Sequence, residues 1–451
     1  MSIEILPVGV TCNLRCDYCY EQTERDKQTV HKYDRDAVVS GLKYSQGFWQ
    51  LFGGEPLLLR IDQLEELLRL GYEKWGYTGI QTNGTLITPA HVDLFRKYRT
   101  QVGISLDGPD ELNDSRWAGT VEATRKATQK TLRAIDMICE LSKETNAWKF
   151  HGPTLIVTLH AGNVSESVFP KFEQWLRHLN DIGVKFINFH FLEIDYKANK
   201  WVLSDDQIIT VMHKLRKISE ELTTLKFLNF NELESLLIGD TKDAMCVWHA
   251  CDSWNTAAVQ GLNNHGSPSN CTRGTKDGID WLPAEGSGFS TDWAIGSKFS
   301  TNRFHERQLS LYVTPEEHGG CKGCRFWLMC TGYCPGTGLE IADIRGTSEK
   351  SDWRTKSSHC NVLKNQFIEA ESKLVSLGQI PVSQRSDRVQ IEAIQYNRWS
   401  QGKECSLDLA LQILQNNLNT DYNEYEDGTY IPHGDHTDII PHGDHTDSVN
   451  S

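Results

Sequence analysis

The chain has 451 residues, room for two or three domains with substantial cores. Only 39% of it is hydrophobic, no apolar run approaches the ~18 residues of a membrane span, and the opening MSIEILPVGV lacks a signal peptide's basic stretch, so a soluble cytoplasmic protein with no membrane partner is expected. Its 46 Lys and Arg against 60 Asp and Glu leave a formal charge of −14, which repels phosphate backbones and argues against nucleic acid.

In chain order, apolar runs at 3–10, 48–53, 79–83, 101–106, 154–160 and 185–191 have strand character, while 61–72, 123–141, 168–179 and 204–222 repeat apolar residues at helical spacing. Strand–helix repetition implies a parallel sheet with right-handed crossovers. Six units are too few for a closed eight-stranded barrel. Residues 1–235 are therefore expected to form an α/β, partly open (β/α)6 barrel, with its chemistry at the carboxyl ends of the strands. Residues 236–375 are broken by Gly, Pro, Asn and Ser and bring little apolar area, so metal clusters are expected to hold them together. Residues 376–429, with Leu407, Leu411 and Leu414, read as a helical extension, and 430–451 as a disordered tail.

Thirteen cysteines, an odd number, point to metal or redox chemistry, since lasting disulfides are rare in a reducing compartment. Eleven fall in two zones; Cys139 and Cys405 stand apart and read as small buried hydrophobes. In the first zone, Cys12-Asn-Leu-Arg-Cys16-Asp-Tyr-Cys19 follows the first strand and projects three thiolates from one loop. A [4Fe–4S] cluster normally takes four, so three leave one iron open to a ligand such as the amino acid end of S-adenosylmethionine (SAM). Zinc is the alternative, but it usually pairs a two-residue knuckle with a second knuckle or with histidines, and no His lies nearby.

CNLRCDYC resembles the C-x3-C-x-aromatic-C signature of radical SAM enzymes. Phe52-Gly53-Gly54-Glu55-Pro56, after the second strand, is similar to that family's GGEP segment, whose backbone binds the methionyl amino group. Gln81-Thr82-Asn83-Gly84 and Ser105-Leu106-Asp107-Gly108-Pro109 end the third and fourth strands, at the rim where the family holds ribose and carboxylate. Each alone reads as a turn; in register with the strand ends they point to a cofactor site. The resemblance implies that Tyr18 stacks near adenine, that Gly54, Ser105 and Arg116 contact SAM, and that Leu192 flanks the adenine. It places Glu55, Asn83 and Asp107 in the same site.

The second zone, Cys251-x14-Gly266-x4-Cys271 followed by Cys321-x2-Cys324-x5-Cys330-x3-Cys334 and Cys360, resembles the SPASM extension, and Cys246 matches a further cysteine of members with two fully ligated auxiliary [4Fe–4S] clusters. By that resemblance Cys246, Cys251, Cys271 and Cys334 hold the cluster nearer the substrate, and Cys321, Cys324, Cys330 and Cys360 the outer one. A zinc-stabilised peptide-binding scaffold is the alternative from a different class.

The resemblance implies one-electron cleavage of SAM to a 5′-deoxyadenosyl radical, hydrogen abstraction from a peptide or protein, and a flavodoxin- or ferredoxin-like electron donor. A maturase of ribosomally made peptides, leaving a crosslink or another oxidative modification, is the expected function. Anaerobic sulfatase-type protein oxidation is the alternative within the family. There an Asp that serves as catalytic base follows the cysteine corresponding to Cys271, whereas Thr272 stands here. Asp252, Asp277 and Tyr333 lie near cluster cysteines in sequence, and nothing distinguishes one of them as the base.

With the first strand beginning at Ile3, no leader-binding domain is expected ahead of the barrel, and leader recognition falls to the region after Cys360 or to a separate protein. In the tail, IPHGDHTD at 431–438 recurs at 440–447. A solvated tail, weak divalent metal binding through His and Asp, or a substrate segment presented in cis all accommodate that repeat.

Overall fold

A computed structural model describes residues 2–27, 32–43, 45, 47–144, 152–192, 200–242, 244–251, 259–269, 271, 305–337 and 354–420. Asp252, Thr272, Asp277 and the repeated tail lie outside the described residues.

The barrel strands form where apolar residues alternate or run on. They are β1 (Ser2–Ile5), β2 (Phe48–Leu51), β3 (Thr78–Thr82), β4 (Thr100–Ser105), β5 (Thr154–Leu159) and β6 (Phe186–Phe191), each parallel to the next. Alternate burial along β4 and β5 puts every second side chain into the core. Helices α1 (Gln22–Asp26), α2 (Arg35–Leu42), α3 (Ile61–Trp75), α4 (Pro89–Lys97), α5 (Val121–Glu144), α6 (Ala161–Val164), α7 (Phe169–Ile182) and α8 (Asp205–Glu221) fill the crossovers. α3 shows the logic: Leu64, Leu67 and Leu68 form its buried stripe, and Gly76 ends it at φ 77°, a conformation that favours glycine. This is a partial (β/α)6 barrel.

The sheet does not stop at six strands. β7 (Lys226–Phe227) pairs with β6, β8 (Val259–Leu262) lies parallel to β1, and β9 (Pro268–Ser269) runs antiparallel to β8. The full order is β7-β6-β5-β4-β3-β2-β1-β8-β9. Two-residue strands carry no readable period, and β8 comes from the Gly-broken segment. The sequence boundary at 235 thus separates cysteine-poor from cysteine-rich chain, not one sheet from another.

Packing divides nearby. One core runs from Ile3 to Phe230 and takes in Leu262 and Val362; the second begins at Leu233 and reaches Leu414. The second is built from α9 (Leu228–Leu237), α10 (Glu306–Val313), α11 (Trp327–Cys330), α12 (Cys360–Ser376), α13 (Arg388–Ser400) and α14 (Leu407–Thr420). Phe326 stacks on Phe367 at 5.2 Å, and Trp327 meets Trp399 edge-on at 6.1 Å. The helices expected as a separate extension therefore share a core with the cysteine-rich segment. Cys139 and Cys405 are buried in these cores.

Arg307, fully buried on α10, gives the cysteine-rich loops much of their order. Its guanidinium donates to the carbonyls of Cys251 (3.2 Å), Tyr333 (2.9 Å), Gly332 (2.8 Å) and Thr355 (3.2 Å). Arg307→Ala removes four charge-assisted bonds at once, although the Cys251 carbonyl still accepts from Gln308 Nε2 and the Gly332 carbonyl from the Ser357 N–H, and an expected cost of about 3 kcal/mol follows. Denaturant unfolding checks the loss, and a fall in iron content with undiminished SAM binding would localise it to the second core.

Candidate active site

The loop after β1 carries Cys12, Cys16 and Cys19 to the carboxyl edge of the sheet. There they line a cavity of about 930 Å3 together with residues that follow or end β2, β3, β4, β5 and β6. Tyr18, Gly54, Asn83, Ser105 and Arg116 line it as well. Burial pushes Cys16 up to about 12 against the pull of Arg116, and Cys19 to about 11 against Arg25; Cys12 reinforces both. Such thiols stay protonated unless a cationic centre draws them into the thiolate form. Among the described residues, no three His, Cys, Asp or Glu groups converge on a single ion.

Two features of the wall suit a cluster with a SAM ligand. Arg25 donates through Nη1 to the Leu14 carbonyl at 2.7 Å, yet its buried Nε and Nη2 have no hydrogen-bond partner. Unused donors beside three thiols match an anionic centre or a ligand carboxylate. At Gly54, a Cβ would stand 2.1 Å from the Thr11 carbonyl oxygen, so only glycine lets the second strand's edge meet the cysteine loop. The Gly54 N–H donates to the Gly9 carbonyl and the Glu55 N–H to that of Thr11, both at 2.9 Å. With its donor used, Gly54 retains its carbonyl, which an ammonium group can use.

Two carboxylates expected at the ligand, Glu55 and Asp107, lie behind the lining instead. Glu55 is fully buried, accepting from Asn83 N–H (2.8 Å), Leu57 N–H (3.0 Å) and the Thr82 hydroxyl (2.7 Å). It therefore clamps the β2 edge to the β3 edge. Burial pushes it up to about 7 although those bonds oppose the shift. Asp107 is likewise fully buried and saturated: it accepts from Tyr18 Oη, Ser115 Oγ (3.2 Å), Arg116 Nη2 (3.0 Å) and Thr158 N–H (3.0 Å). It fixes Tyr18 and Arg116, which do line the cavity. Leu192 is buried, and His190 and Phe191 from β6 face the cavity instead. A carboxylate held by protein donors has little capacity left for a ligand, which is the physical reason for the correction.

His160 gives this centre a serine–histidine–carboxylate look without that chemistry. Gly162 N–H donates to its Nδ1 at 3.1 Å, while Nε2 faces both Ser115 Oγ (2.9 Å) and Asp107 (3.5 Å). A hydrolytic relay needs serine and carboxylate on opposite ring nitrogens.

Sequence reasoning missed Glu21, Arg25, Thr158 and His190 as lining residues; Gln81, part of a motif expected at the rim, lines the cavity with them. Gln81 Nε2 donates to Ser105 Oγ at 2.8 Å and closes over Gly103, where a Cβ would strike its Oε1 at 2.0 Å. The Gln81–Gly103 pairing could have been suspected only with the β3–β4 register in hand.

A second cavity, of about 410 Å3, is lined by Cys321, Cys324, Cys330 and Cys360, with Lys356 and Lys364 alongside. These are the four thiols expected around the outer cluster. Burial pushes Cys321 up to about 12, with Cys324 and Cys360 adding to the shift. Between Cys330 and Cys334 the chain turns through Thr331 (φ 46°), Gly332 (φ 86°) and Tyr333 (φ 60°). Left-handed conformation at two non-glycine residues marks a turn held against its own preference. The turn lets Cys330 join the outer set while Arg307 ties the backbone beside Cys334 to Cys251. Cys246 begins the turn that places Trp248 on Tyr333, ring centres 4.9 Å apart. Cys271 is described, but most of its neighbours in sequence lie outside the described residues.

Parallel strands, a three-cysteine loop at their carboxyl edge and a glycine-lined cavity beside it define a radical SAM domain, and residues 6–156 match the Radical SAM superfamily. SAM and a [4Fe–4S] cluster are the cofactors of such a domain. The chain is 24% identical over 407 residues to a cysteine-type anaerobic sulfatase-maturating enzyme of Clostridium perfringens, covering 84% of this chain and 98% of that one. It is 34% identical over 148 residues to a serine-type enzyme of Klebsiella aerogenes, or 29% of this chain and 35% of the relative. In fold it is similar to native anSMEcpe with bound AdoMet and Cp18Cys peptide, with a TM-score of 0.60 and 17% identity over 83% of this chain and 98% of that one.

Proposed function

We propose that this chain is a radical SAM/SPASM maturase acting on a ribosomally made peptide and leaving a crosslink or another oxidative modification. The observation that carries this reading is the presence of two cysteine-lined cavities in one chain, one at the barrel mouth and one in the second core. Cys12, Cys16 and Cys19 would hold the SAM-binding cluster, with Cys321, Cys324, Cys330 and Cys360 on the outer auxiliary cluster and Cys246, Cys251, Cys271 and Cys334 on the inner one. When bound, these groups supply one-electron cleavage of SAM to a 5′-deoxyadenosyl radical and an acceptor for the electron left on an oxidised substrate.

The chain's own residues then orient and shield. Gly54 offers its carbonyl to the methionyl ammonium, and Arg25 meets negative charge with its unused donors. Tyr18 and Arg116, locked by Asp107, form a rigid wall that fixes the nucleoside end. A flavodoxin- or ferredoxin-like protein would deliver the first electron. No helix of the described residues is long and apolar enough to cross a membrane.

Sulfatase-type oxidation of a Cys or Ser side chain is the second reading, favoured by the names of the relatives. Anaerobic incubation with SAM and dithionite separates the two. Mass spectrometry of any short peptide encoded beside this gene, with the chain's own tail followed in the same incubation, should show loss of hydrogen mass in the peptide, while peptides carrying a sulfatase Cys or Ser motif stay unchanged. Conversion of the sulfatase peptide to an aldehyde, with the other two untouched, would favour the second reading.

A further inference from the structure

Beside the SAM cavity lies a pocket of about 700 Å3 that neither cofactor nor cluster accounts for. It is lined by Asn188 on β6, by Asn231, Glu232 and Ser235 on α9, and by Asp240 and Met245 beyond it. Asn188 and His190 project from the same face of β6, two residues apart, and their side chains approach at 3.4 Å; His190 lines the SAM cavity. The pocket therefore adjoins the SAM cavity along β6.

Its polar groups are biased toward accepting. Asn188 is only 8% exposed, and its Nδ2 donates to the Met245 sulfur at 3.1 Å while its Oδ1 has no partner. Glu232 accepts the Met245 N–H; burial pushes its carboxyl up to about 7, so a cationic occupant would draw it into the carboxylate form, which keeps further acceptor sites. Asp240 adds a second carboxylate, and among the described residues no Lys, Arg or His lines the pocket. No three metal-ligating side chains converge there either, among the same residues. A buried oxygen without a donor, two carboxylates and no cation call for an occupant rich in N–H groups.

We propose that this pocket binds the side chain of a lysine or arginine in the peptide substrate, holding the peptide across the open side of the barrel. The inference rests on the peptide-maturase reading. It also makes the occupant a separate peptide, because residues 421–451 contain no Lys or Arg.

The test is affinity selection from a randomised synthetic peptide library on the anaerobic, cluster-loaded enzyme with SAM, read by mass spectrometry. Lys or Arg should be enriched at one position by about tenfold, the worth of a charge-assisted hydrogen bond. That enrichment should vanish in Glu232→Gln/Asp240→Asn. Asp240→Lys, a change at an exposed position that spares the core, should reject the same peptides. Absence of Lys or Arg enrichment in the wild type, or its persistence in both variants, would overturn the proposal. Release of 5′-deoxyadenosine by the same preparations is scored separately: its absence from the wild type sinks the maturase reading, whereas its presence without cation selection sinks only the pocket.

Discussion

Cys16→Ala protein, prepared without oxygen, is expected to release 5′-deoxyadenosine at no more than about one hundredth of the wild-type rate. Loss of residues that merely orient metal ligands already costs about 10- to 100-fold, and loss of a ligand costs more. Cys16 stands among Cys12, Cys19 and Arg116 in a site where burial has pushed its thiol up to about 12. A bound cationic centre would offset the cost of burying it. Iron should fall from about twelve to about eight per chain, since one four-iron cluster is lost and two remain. Retention of twelve irons with lost turnover would place Cys16 elsewhere in the reaction. Loading of the wild type should improve as pH rises, because each buried thiol gives up a proton to bind metal.

Asp107→Ala is expected to cost about 3–5 kcal/mol in unfolding free energy, because it strands the buried Arg116 without a counter-charge. It also removes the acceptor for Tyr18, Ser115 and Thr158. Burial raises the carboxyl, but Arg116, His160 and Tyr18 outweigh it and hold the group below the ordinary carboxylate range. A depressed folded-state value means the stabilisation is complete above the unfolded value of about 3.9 and lost as pH falls below it. The difference between wild type and variant should stay constant from about pH 5 to 8 and shrink below about pH 4. A deficit that grew on acidification would contradict this assignment.

Much of this was legible in the sequence because cysteine spacing and strand ends are local. That the three thiols of CNLRCDYC meet at one cavity follows without any knowledge of packing, since they share one loop. Cys321, Cys324 and Cys330 are likewise close in sequence, and the fold returns the distant Cys360 to them. What escaped depends on burial and on register. Arg25 sits in the short polar helix QTERD and reads as surface, yet two of its nitrogens are buried without partners. Arg307 looks like one charge on an amphipathic helix until four carbonyls are found around it. Glu55 and Asp107 read from their motifs as ligand contacts, because a sequence does not show that backbone N–H groups and hydroxyls consume their oxygens. Leu192 lies one residue beyond β6, and His190 and Phe191, which sequence patterning does not single out, are the residues of that strand end that line the cavity.

The central claim is that three thiols hold an iron cluster whose remaining corner takes SAM. Anoxic wild-type protein with measured iron and sulfide should form 5′-deoxyadenosine and methionine on addition of SAM and dithionite, in amounts that scale with the iron bound. Fully loaded protein that leaves SAM intact under those conditions, with or without peptide, would contradict the account.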